Sequence, residues 1–89
     1  MIDDIIQMTQ KLRDIMKSNV PLLEHEINSI INNQERSPKR IEWILDTLLD
    51  YLYMGVGKEQ FKRLNSYYKS ICLEFSAEYD KFYHEIIDE

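Results

Sequence analysis

Eight apolar residues in the last third of the chain, Phe61, Leu64, Tyr68, Ile71, Phe75, Tyr79, Phe82 and Ile86, follow one another at spacings of three or four. That repeat is helical, because an α-helix returns a side chain to the same face about every 3.6 residues and a strand every two. Unbroken from Lys58 to Ile87, such a helix would be ~45 Å long, against about 25 Å for helices over 2–17 and 38–54. A helix that outruns its neighbours cannot bury its whole stripe among them. The sequence therefore predicts either a bend near residues 74–77, with Ser76 capping a fifth segment, or an end that projects toward a partner. The bend is the preferred reading.

The rest of the chain carries the same periodicity. Ile5, Met8, Leu12 and Ile15 form a first stripe, widened by Ile2, Ile6 and Met16. Ser18 and Asn19 interrupt it, and Pro21 suits the first turn of a second helix carrying Val20, Leu23, Ile27 and Ile30. A polar stretch at 32–36 reads as a loop. Ser37-Pro38 then gives a helix start, with a favoured cap residue before Pro at the first helical position. Ile41, Ile44, Leu45, Leu48 and Leu52 make the third stripe, and Trp43, Leu49, Tyr51 and Met54 widen it, so this helix is expected to be the most buried and Trp43 to help anchor it. Gly55 suits a left-handed helix end and Gly57 a tight turn. With 2 Gly, 2 Pro and no visible linker or repeat in 89 residues, the expectation is one all-α domain over 1–89. Its expected architecture is an antiparallel four-helix bundle, or five helices if the last one bends.

Chemistry is sparse. Gly55-Val56-Gly57-Lys58 fails as a phosphate loop, since Leu52 stands where the first Gly belongs and Glu59 follows the Lys. Asp80, His84 and Asp88 share a helical face that could offer metal ligands, but an ordinary Asp–His pair on a solvated face is the preferred reading. Cys72 neighbours the core stripe, where cysteine packs as a small hydrophobe. Two histidines leave few groups for acid–base work. No enzyme activity, cofactor or metal is expected. The lone cysteine fits a reducing, cytoplasmic setting, and the start Met1-Ile2-Asp3-Asp4 lacks the basic region of a secretory signal. No apolar run approaches the length of a membrane span.

Charge points to a binding surface. The net charge of −5 opposes nucleic acid as a partner, although the basic groups Arg36, Lys39, Arg40 and Lys58, Lys62, Arg63 leave a DNA-binding regulator as a third reading. Glu42, Asp46 and Asp50 line one side of the third helix, with Tyr53 extending it. They are read as a strip for a basic partner, as a plain solvated face, or as neutralised by Lys62, Arg63 or Lys69 of the next helix. Glu74, Glu78, Tyr83 and Glu85 make a second acidic, tyrosine-bearing set, and tyrosine among carboxylates is favoured at interfaces. In size, charge and helix content the chain resembles immunity proteins, helical antitoxins and phage inhibitors, small proteins that occlude a partner's surface. That likeness implies a basic protein partner such as a nuclease toxin or another nucleic-acid-binding protein. The runner-up is a homodimer paired through the C-terminal stripe.

Overall fold

The computed structural model describes residues 2–88 and contains four helices packed against one another, with no strand among the described residues: α1 (Ile2–Asn32), α2 (Pro38–Leu52), α3 (Lys58–Lys69) and α4 (Leu73–Ile87). The loops at 33–37 and 53–57 fall where the sequence puts them. Two other boundaries differ.

The break expected near 18–20 is absent, and α1 runs straight through Pro21. Proline inside a helix removes the donor for the carbonyl four residues back, here that of Lys17. Both Pro21 and Lys17 lie on the exposed side, so water can take that carbonyl's place. Beyond Pro21, Leu23, Ile27 and Ile30 are buried in the core, which holds the helix in phase across the defect. Proline at a first turn and proline on the wet side of a longer helix leave the same mark in a sequence.

At the other end, the long stripe breaks at Ser70–Cys72 rather than bending at 74–77, and no fifth helix forms. The amides of Ile71 and Cys72 both bond to the Tyr68 carbonyl, at 2.9 and 2.8 Å, and extended Cys72 starts α4. Ser76 caps nothing. It is buried inside α4, where its hydroxyl donates to the Asn65 carbonyl at 3.0 Å. The Asn65 amide in turn donates to the Ser76 carbonyl (3.1 Å) and to Asp80 (2.8 Å), clamping α3 to α4. The fold-back stacks Tyr83 on Phe61, ring centroids 5.5 Å apart, and sets Tyr79 edge-on to Tyr68 at 6.4 Å. Aromatic pairs in these geometries add about 0.5–1.5 kcal/mol each beyond their area.

Two helices end in the same way. Gly55 (φ 72°) and Gln34 (φ 51°) are left-handed, and the amide after each reaches back five residues, Val56 to Tyr51 at 3.1 Å and Glu35 to Ile30 at 2.9 Å. Gly57 is also left-handed (φ 87°), and a β-carbon there would lie 2.9 Å from a Leu48 methyl. Ser37 caps α2 by accepting from the Arg40 amide. Arg40 then ties the α1–α2 corner to both Glu26 and Glu35, and these contacts, the Glu26 hydrogen bond first, raise its already high pKa. One member of the basic cluster at 36–40 is thereby engaged within the fold.

The core is Leu23, Ile27 and Ile30 of α1, five aliphatic residues of α2, Phe61, Leu64 and Tyr68 of α3, and Tyr79 and Tyr83 of α4. Trp43 does not join it and is 65% exposed on α2. The first stripe does not join it either: Ile2, Ile5, Ile6, Met8, Leu12 and Ile15 are all exposed. The projecting element is therefore the start of α1.

Candidate functional site

The acidic strip of α2 divides into two parts. Glu42, half-buried, accepts a hydrogen bond from the Tyr68 hydroxyl, and Asp46 accepts one from Tyr79 at 2.7 Å. Burial, reinforced by these carboxylates, pushes both phenols above their ordinary pKa, so they remain donors. Two of the basic neighbours anticipated for the strip, Lys62 and Arg63, are placed elsewhere. Lys62 sits over the Tyr83 ring, 5.4 Å from its centre, and Arg63 donates to Asn28 of α1. Among the described residues the ion pairs are those of Arg40 and the surface pair His84–Asp88, 3.2 Å apart. Asp80 faces Asn65 instead of His84, and no cluster of three metal-ligating side chains forms among the described residues.

The strip's outer end is different. Asp46, Asp50 and Tyr53 line a surface groove of about 320 Å³ whose other wall is α4, contributing Phe82, Glu85 and Ile86, with Leu49 between. Residues from the two acidic sets thus meet in one place. Asp50 and Glu85 are exposed, Tyr53 is 69% exposed, and Phe82 is nearly half exposed. The result is an apolar floor bordered by three carboxylates and a phenol. Such a surface complements a segment carrying both apolar and cationic side chains, since the charges steer the approach and the floor supplies buried area.

Glu74 and Glu78 are exposed on α4 outside this groove, on the side that Glu85 shares. Tyr83 turns inward and is only 6% exposed, so its ring belongs to the core. Tyr51 and Tyr67 also serve the fold: Tyr51 accepts from Asn19 at 3.2 Å, and Tyr67 donates to the Glu35 carbonyl at 2.7 Å. Phe82 and Ile86 belong to the stripe read as core, so the sequence gives no sign of their place in the groove. Of the C-terminal stripe read as a dimer seam, Phe61, Leu64, Tyr68 and Tyr79 are buried, while Phe75 and Phe82 stay nearly half exposed.

A second groove of about 580 Å³ runs between α1 and α2, lined by Asn19, Leu22, Trp43 and Tyr51 among others. It is more apolar and holds one carboxylate, Glu26. No protein-family model matches the chain, and neither does any curated protein or solved structure.

Proposed function

We propose that the chain is a non-enzymatic helical binding module that occludes a basic surface of a protein partner, in the manner of immunity proteins, antitoxins and phage inhibitors. The observation that carries this reading is the α2–α4 groove, where Asp46, Asp50 and Glu85 border Leu49, Phe82 and Ile86 beside Tyr53. The net charge of −5 supports it, because a partner that handles nucleic acid presents a cationic cleft. In this reading the four helices form an antiparallel bundle that works in the cytoplasm, where Cys72 stays reduced. Glu74 and Glu78 extend the attractive field along α4 without entering the groove. Asp46 does double duty, holding Tyr79 with one oxygen and facing the groove.

The test compares affinity capture from the native host by the wild-type chain and by the double variant Asp50→Asn with Glu85→Gln, at low and high salt. The expected result is one basic protein retained by the wild type at low salt, lost at high salt, and lost or weakened in the variant. Retention of the same partner by both proteins at both salts would overturn the assignment of the groove.

A further inference from the structure

The first half of α1 is an amphipathic rod whose large apolar side chains from Ile2 to Ile15 are exposed. Exposure there runs from 48% at Leu12 to 74% at Ile2. At about 100° per residue, Ile5, Leu12 and Met16 point within roughly 60° of Leu23, Ile27 and Ile30, the residues that α1 buries in the core. One continuous stripe is therefore half core and half bare. The bare stretch ends after Ile15: Met16 is partly covered, and Asn19 bonds to Tyr51 of the body. Ile5, Met8, Leu12 and Ile15, which point within about 80° of one another, offer roughly 450 Å² per copy, the size of an apolar patch that is often functional.

We infer that this arm pairs with the same arm of a second copy, antiparallel, to make a two-fold dimer. Three features of the arm select that occupant. Ile5, Met8, Leu12 and Ile15 are spaced three, four, three, which reads the same in both directions, so a two-fold axis at Gln10 sets Ile5 level with Ile15 of the second copy and Met8 level with its Leu12. Charge along the arm is polarised, with Asp3 and Asp4 at the start and Lys11, Arg13 and Lys17 beyond, balanced to zero net by Asp14. Antiparallel copies bring the acidic end of one level with the basic end of the other, whereas parallel copies align like with like. An arm with no net charge has no preference for a partner of one sign, and it lacks the Lys and Arg excess of a helix that lies on an anionic membrane. Lastly, the length fits. About Gln10, Ile5 of one copy reaches the level of Ile15 of the other, the last fully exposed apolar residue before the body. Two arms together remove at most about 900 Å² from water, the size class of weak specific interfaces.

This dimer uses none of the α2–α4 groove, so it stands or falls independently of the proposed partner. Sedimentation equilibrium of the full chain at micromolar concentration should give twice the 10.8 kDa of one chain, and high salt should not abolish it. Leu12→Glu should raise the dissociation constant at least ~100-fold while leaving helix content and the thermal transition of the body in place. Met8→Lys, at another exposed position, should do the same, and it provides the reading if Leu12→Glu does not fold. In a Cys72→Ser background, Ile5→Cys mixed with Ile15→Cys should form a disulfide-linked dimer, and Ile5→Cys alone should not. A monomeric wild type, or a dimer that neither folded variant weakens, would overturn the pairing. Self-linking of Ile5→Cys alone would overturn its antiparallel sense.

Discussion

Replacing Asp46 and replacing Asp50 should have opposite effects, although they are carboxylates one turn apart on the same helix. Asp46 accepts the hydroxyl of Tyr79, whose ring is buried against Phe61 and Tyr68. Asp46→Ala leaves that hydroxyl without its acceptor, and an unsatisfied buried polar group costs ~1–3 kcal/mol. Because Asp46 is itself exposed and water can reach the vacated place, the lower end of that range applies, about 1–1.5 kcal/mol. In a domain of this length that is a fall in Tm of roughly 4–12 °C. Asp50 has no such partner and stands one turn from Asp46, near the C-terminal end of α2 where a negative charge is unfavourable. Asp50→Asn should therefore leave the protein unchanged or more stable by a few tenths of a kcal/mol. The assay is urea unfolding followed by circular dichroism, completed by a cycle with Tyr79→Phe, where the Asp46–Tyr79 coupling should be at least ~0.5 kcal/mol. A coupling of zero, or an Asp50→Asn loss equal to that of Asp46→Ala, would refute the division of the strip into a structural and an exposed end.

Gly57→Ala should destabilise by about 1–3 kcal/mol in the same assay, because it places a β-carbon at positive φ and against Leu48. Pro21→Ala should stabilise α1 by roughly 1–3 kcal/mol, read as a higher helical signal and Tm, by restoring a donor to the Lys17 carbonyl; no gain, or a loss, would place Pro21 at a helix start instead. Raising the pH should weaken the fold above about pH 10, the ordinary phenol value, because Tyr68 and Tyr79 hold their protons in the folded state beyond the point where the unfolded chain releases them. Their contribution is complete below that pH and lost as pH climbs through the raised values. A urea midpoint that stays flat between pH 9 and the alkaline limit of the fold would contradict this role of the two hydroxyls.

Signals that act within one turn are legible in the sequence. Ser37-Pro38 starts α2, Gly55 and Gly57 separate it from α3, and the 3–4 spacing gives each helix its apolar face. What a local pattern cannot carry is how far the neighbouring element reaches. Ile5 and Ile27 read alike, but only Ile27 has α2 and α3 beside it. Phe82 and Tyr79 likewise belong to one stripe, and the position of α2 decides which is groove and which is core. The turn at 70–72 contains neither Gly nor Pro, and its cause is tertiary: folding back there seats Tyr79 and Tyr83 on Phe61 and lets Asn65 reach Ser76. The groove's acidic rim was visible at Asp46, Asp50, Tyr53 and Glu85. Its apolar floor was not, because nothing local distinguishes a half-covered aromatic from a covered one.

The exposed arm exists only if α1 is one helix through Pro21. A spin-label distance between Gln10→Cys and Asn32→Cys, in a Cys72→Ser background diluted with unlabelled protein, measures this directly. Both positions are exposed and lie on either side of the proline. A continuous helix separates them by about 33 Å at 1.5 Å per residue. A chain that turns at 18–20 and folds back would bring them side by side, within roughly 10–15 Å once helix packing distances are counted. A distance near the longer value is the predicted result, and one in the shorter range would contradict it.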